Sequence, residues 1–178
     1  VHTVCAQGAS RLGPSFAVTA AQNNIVSELD GQPAVAALES VAREVATDER
    51  LLKLLREGLL VGISPEDGGK ADEDYLVRQV LGVSEGGGLA IGEPRVVAGE
   101  TRLQFHVRDA QAATDDLRLL LQRYRMERQF AASGGGAPLA ALLFSCVGRG
   151  TSLFAEPNAD SAALAEHGAL GAEPPIGG

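Results

Sequence analysis

Thr101-Arg-Leu-Gln-Phe-His-Val-Arg108 decides the fold class, because apolar and polar residues alternate through it without a break. Leu103, Phe105 and Val107 fall on one side; Arg102, Gln104, His106 and Arg108 fall on the other. A period of two is that of a half-buried strand, with one side on a core and a polar outer or pocket-facing side. The period then changes. From Asp109 to Phe130, Leu117, Leu120, Leu121 and Tyr124 recur at the three-and-four spacing of a helix with one buried stripe. Asp109, Asp115 and Asp116 occupy its early turns, and Arg123, Arg125 and Arg128 its later ones. The helix macrodipole favours that order.

Toward the N-terminus, Phe16 to Thr19 and Asn24 to Leu29 read as two strands parted by a polar turn at Gln22-Asn23. Asp30-Gly31 breaks the second, and Pro33 opens a helix at the position where a missing N–H is harmless. Val35, Leu38, Val41, Ala42 and Val45 carry that helix to about Ala46. A short second helix, Asp48 to Glu57, stops at Gly58. Leu59 to Ile63 is a short apolar strand, Ser64 to Asp74 an acidic loop, and Tyr75 to Leu81 and Leu89 to Ile91 two further strands. Toward the C-terminus, Ser133 to Gly136 is a break and Asp160 to Glu166 a short helix, capped by Asp160 or Asn158.

Leu139 to Phe144 contains no polar residue. It reads as a buried central strand over residues 139–145, which delivers Ser145, Cys146 and Arg149 at its carboxyl end. Open α/β sheets place ligand sites there. Several strands, a long helix and another strand predict an α+β fold. The expected architecture is a mixed, mostly antiparallel sheet packed against the long helix, with the 139–145 strand at its centre.

Composition narrows the function. Apolar residues make up 45% of 178, enough for an ordered core, and a net charge of −8 argues against nucleic acid, whose binders carry a basic patch. No apolar run reaches the roughly 18 residues of a membrane span, and no signal peptide is visible, so the expected location is cytoplasmic. Cys5 and Cys146 read as free thiols of a reducing compartment. No metal or cofactor is expected. The histidines lack zinc spacing, the acidic loop lacks calcium-loop spacing, and neither triple glycine precedes Lys-Ser/Thr.

More than one reading stands for each notable residue. Cys146 is a small hydrophobe, a ligand contact or a nucleophile, and the last needs a base such as His106 or His167. Arg149, between Gly148 and Gly150, is a surface arginine or a fork for a carboxylate or phosphate. Arg78, mid-strand, is at a sheet edge, ion-paired or pointing into a cavity. Asp30 organises a strand-to-helix turn or, second, contacts a ligand.

Three segments together resemble the FIST domain, a sensory module of bacterial signalling proteins and of an F-box ubiquitin-ligase subunit. They are Gly13-Pro-Ser-Phe-Ala-Val-Thr19 with Asn24-Ile-Val-Ser-Glu-Leu-Asp-Gly-Gln-Pro-Ala34; Tyr75-Leu-Val-Arg-Gln-Val-Leu-Gly82 with Gly99-Glu-Thr-Arg-Leu-Gln-Phe-His-Val-Arg-Asp109; and Leu142-Leu-Phe-Ser-Cys-Val-Gly-Arg149. The resemblance implies a two-part domain. Residues 1–31 would end its N-terminal part, and residues 32–178 would hold most of its C-terminal part, cut short before the Gly-Glu-Ile motif that usually follows.

These readings combine into an expected function: a non-catalytic intracellular sensor of a small molecule, an amino acid or another small carboxylate by family analogy. Ser145, Cys146 and Arg149 would line the pocket, with Arg78 and Asp30 as further ligand contacts. A signalling protein is an expected partner; nucleic acid and membrane are not. The alternative is a protein-interaction module, as in the F-box relatives, and the third is a cysteine-dependent enzyme.

Overall fold

A computed structural model describes residues 1–65, 75–130, 140–167 and 176–177. The expected acidic loop therefore falls almost wholly outside the described residues, as do the Ser133–Gly136 break and Leu139. The chain divides into two compact units, Ala9–Arg108 and a second one made of Val1–Gly8 with Asp109–Gly178.

Among its described residues the first unit holds seven strands: β1 (Ala9–Gln22), β2 (Ile25–Leu29), β3 (Gln32–Pro33), β4 (Leu59–Pro65), β5 (Leu76–Val83), β6 (Leu89–Ile91) and β7 (Thr101–Arg108). All their pairings are antiparallel. They follow the order β1-β7-β4-β5-β6-β2-β3, and β1 also pairs with β2, so six of the strands close into a ring. Closure is possible because two strands change partner midway. β1 runs beside β7 as far as Ala17 and beside β2 from Val18; β5 runs beside β4 as far as Gln79 and beside β6 from Val80. Register irregularities mark both corners, at Val18/Ala20 and Val80/Gly82. Bulges of this kind bend a strand and let it turn from one sheet into another. The ring leaves few unpaired edges.

Inside lie Leu12, Val18, Val26, Leu29, Val61, Ile63, Leu89, Ile91, Leu103, Phe105 and Val107. The helices that contribute to this core are α1 (Ala34–Glu44), through Ala34, Ala37 and Val41, and α2 (Glu49–Glu57), through Leu51, Leu54 and Leu55. Pro33 precedes α1 as expected, and the Asp48 carboxylate accepts the Leu51 N–H at 3.0 Å to cap α2. The helical side chains in this core come from α1 and α2, and the long helix belongs to the other unit.

The polar side of β7 is more buried than alternation alone suggests. Gln104 and His106 are both buried, on the face opposite Phe105. Gln104 Nε2 donates to the Gly13 carbonyl at 2.8 Å, and Arg102 donates to the hydroxyl and carbonyl of Ser15. These side chains stitch β7 to β1.

The second unit contains the long helix α3 (Ala110–Phe130), whose inner stripe is Ala113 and Leu121 with half-buried Leu117, Leu120 and Tyr124. Asp109 begins it, its carboxylate accepting the Gln111 N–H at 3.0 Å. A two-residue strand β8 (Ala141–Leu142) pairs in parallel with β9 (Ile176–Gly177), and helix α4 (Ala159–His167) follows Asn158. The buried central strand expected over residues 139–145 is not seen among its described residues. β8 has two residues, and Leu142 and Phe144 are 77% and 89% exposed. An apolar run shows that a segment can be buried, not what would bury it. No helix among the described residues is long and apolar enough to cross a membrane.

Candidate functional site

The polar exit after β8 forms a compact cluster in the second unit. Cys146 takes an extended conformation, and Val147–Arg149 then wind into one 3-10 turn closed by the Arg149 N–H on the Cys146 carbonyl at 2.8 Å. The turn swings the Arg149 side chain inward until only 12% of it is exposed. Asp160 meets it from the first turn of α4. Arg149 Nε donates to Asp160 Oδ2 at 2.9 Å and Nη2 to Oδ1 at 2.7 Å, a two-pronged pair. Ser145 Oγ donates to the same Oδ2 at 2.8 Å. The guanidinium also lies 5.4 Å from the ring centroid of buried Phe154, within cation–π range.

Electrostatics follow from this geometry. The hydrogen bonds of Arg149 hold the Asp160 carboxyl below its ordinary range against the opposing effect of burial, with Ser145 adding to the shift. Arg149 is held above its ordinary value, first by Asp160, against burial, and then by the charges of Asp160, Asp116 and Cys146. Nη1 of Arg149 stands apart: it is solvent-inaccessible and, among the described residues, has no hydrogen-bond partner. Buried polar atoms of folded proteins are rarely left so.

The five residues singled out in the sequence do not share one role. Ser145 and Arg149 meet on Asp160. Cys146 is exposed beside them, a free thiol like exposed Cys5 and not the small buried hydrophobe of the simplest reading. Arg78 is in the barrel unit, where its Nε donates to Glu93 at 2.9 Å and Nη1 to the Val77 carbonyl at 3.1 Å. Asp30 is also in that unit, with φ +49, and its carboxylate accepts the Ala17 N–H at 2.7 Å. Arg78 thus makes an ion pair and Asp30 organises a turn. Of the two candidate bases, His106 is buried in the barrel unit with Nδ1 3.0 Å from the Gln104 carbonyl, and His167 lies 3.6 Å from Glu166. Among the described residues, no group of three or more His, Cys, Asp or Glu side chains gathers as a metal site.

Sequence reading missed the role of Asp160, treated only as a helix cap, gave none to Phe154, and placed Asp116 only among the early-turn acids of the long helix. No periodicity links Arg149 to an aspartate 11 positions away. Only an acid near the start of a helix, after an arginine in a glycine turn, could have hinted at it.

The FIST C domain family matches residues 34–178. The chain belongs to that family. FIST domains are sensory modules of signal transduction. Among curated proteins, the chain is 35% identical over 164 residues to the uncharacterized protein Rv0628c of Mycobacterium tuberculosis. It is 33% identical over 165 residues to the uncharacterized protein Mb0898c of Mycobacterium bovis. These alignments cover 91% and 92% of this FIST chain but 40% of each relative, so the chain spans about two-fifths of their length. No solved structure matches it.

Proposed function

We propose that this FIST chain is the ligand-binding part of a non-catalytic intracellular sensor whose ligand is an amino acid or another small carboxylate. The observation that carries the reading is the buried, unpartnered Nη1 of Arg149. A buried N–H without an acceptor is costly, and a charged one more so. A carboxylate oxygen is the acceptor that suits a guanidinium edge. Asp160 and Ser145 add the counterpart for an ammonium group, and exposed Cys146 borders the site.

A thermal-shift screen of the full chain against amino acids and small carboxylates tests this. A ligand at 100 times its Kd adds about 2.7 kcal/mol, so one class should raise the transition visibly. Arg149→Lys keeps the charge but loses the fork, and should weaken that binding by roughly 1–3 kcal/mol. A cooperative transition that no compound moves would sink the reading.

A second reading, recognition of a protein partner, is favoured by Leu142, Phe144 and Val147, residues that are 77%, 89% and 96% exposed. Clustered exposed apolar side chains mark interaction surfaces. Replacing Phe144 and Val147 with Ser should change stability by no more than about 0.5 kcal/mol, yet abolish association with a partner that binds the wild-type chain. Undiminished association would remove these residues from the surface.

A further inference from the structure

What lies over the orphaned Nη1 of Arg149 is the chain's own N-terminal segment. A Cβ built on Gly8 would stand 2.8 Å from Nη1 and 2.5 Å from the Cβ of Ala113 on α3. Gly8 has φ +64, a conformation open to glycine without strain, so backbone enters a slot between α3 and Arg149 that no side chain fits. Asp116 fixes it there: its Oδ2 accepts the N–H of Gln7 at 2.9 Å and of Gly8 at 3.2 Å. Two turns further along the same face of α3, about 12 Å away at the rise of a helix, the ring of Tyr124 lies 4.5 Å from that of His2. Residues 1–8 therefore form a strap along α3, held at Tyr124 and Asp116 and ending over the guanidinium edge that has no acceptor among the described residues.

We infer that this strap competes with the anionic ligand for the Nη1 edge of Arg149, so that binding requires its release from Asp116. The inference rests on the ligand reading given above. It makes Asp116 and Gly8 the residues that set affinity without touching the ligand. Asp116→Ala removes the acceptor of both strap N–H groups, and Gly8→Ala adds a methyl where none fits.

The test compares the full chain with these two variants and with a third lacking residues 1–7, each checked for wild-type circular dichroism. Three quantities are read: exchange of the Gln7 and Gly8 amides where present, phenylglyoxal modification of Arg149 against exposed Arg123, and Kd for acetate and glycine. Release of the strap should speed amide exchange, speed modification of Arg149 several-fold with Arg123 unchanged, and tighten Kd several-fold. Faster exchange with unaltered Arg149 modification and Kd would show that the strap only supports structure, which overturns the inference. Faster Arg149 modification with no acetate or glycine bound by any form would instead overturn the carboxylate reading, and with it the competition.

Discussion

Asp160 occupies the whole Nε–Nη2 edge of Arg149, at 2.9 and 2.7 Å, and leaves Nη1 unserved. The pair joins the turn after β8 to the first turn of α4, with 12% and 10% of the two side chains exposed. It is thus both the clasp of this part of the second unit and the frame of its candidate site.

Asp160→Ala should strip Arg149 of its counter-charge while leaving it buried. Removing one partner of a buried pair costs about 3–5 kcal/mol, and denaturant unfolding should report a loss of that order. Because Asp160 titrates below the ordinary carboxylate value of 3.8, its contribution is complete above that pH and is lost as pH falls through the folded value. Asp160→Asn should therefore flatten the acid limb of stability against pH. An acid limb identical to wild type would show that the pair does not stabilise the fold.

His106 works in the opposite direction. Burial lowers its pKa from the ordinary 6.5, the backbone hydrogen bond at Gln104 partly opposes this, and the charge of Arg11 adds to it. The unfolded chain then binds the proton first. Barrel stability should be full above about pH 6.5 and decline as pH falls toward the folded value, by at most about 1.4 kcal/mol per pH unit. His106→Gln should remove that slope in denaturation followed between pH 5 and 8, and an unchanged slope would assign it elsewhere.

Gly62 tests packing on the same face. A Cβ there would stand 2.5 Å from Cε1 of His106 and 2.8 Å from the Cβ of Tyr75. The two rings, 5.6 Å apart, close over the glycine. Gly62→Ala should cost roughly 1–3 kcal/mol, as overpacking does. A thermal midpoint equal to wild type would mean that both rings can retreat.

Much of the local structure was legible because it depends on neighbours in sequence. The alternation through Thr101–Arg108 gave β7, and the apolar run gave β6 at Leu89–Ile91 with its bounds intact. Asp48 and Gly58 bracketed α2, since caps act within a turn. Leu117, Leu121 and Tyr124 gave the inner face of α3. The site was legible only in part: Ser145, Cys146 and Arg149 could be picked out by residue type, but not the aspartate that organises two of them.

The sequence by itself determined most of the helices, the longer strands of the first unit, the α+β class and the family resemblance, because periodicity, caps and motifs are properties of short stretches. Only the tertiary structure decided that β1 and β5 change partners to close a six-stranded ring. It alone set Asp160 on Arg149 and Gly8 over Nη1, and left Leu142 and Phe144 exposed. These outcomes turn on residues far apart in the chain, and hydrophobicity fixes which surfaces seek cover but not which partner supplies it.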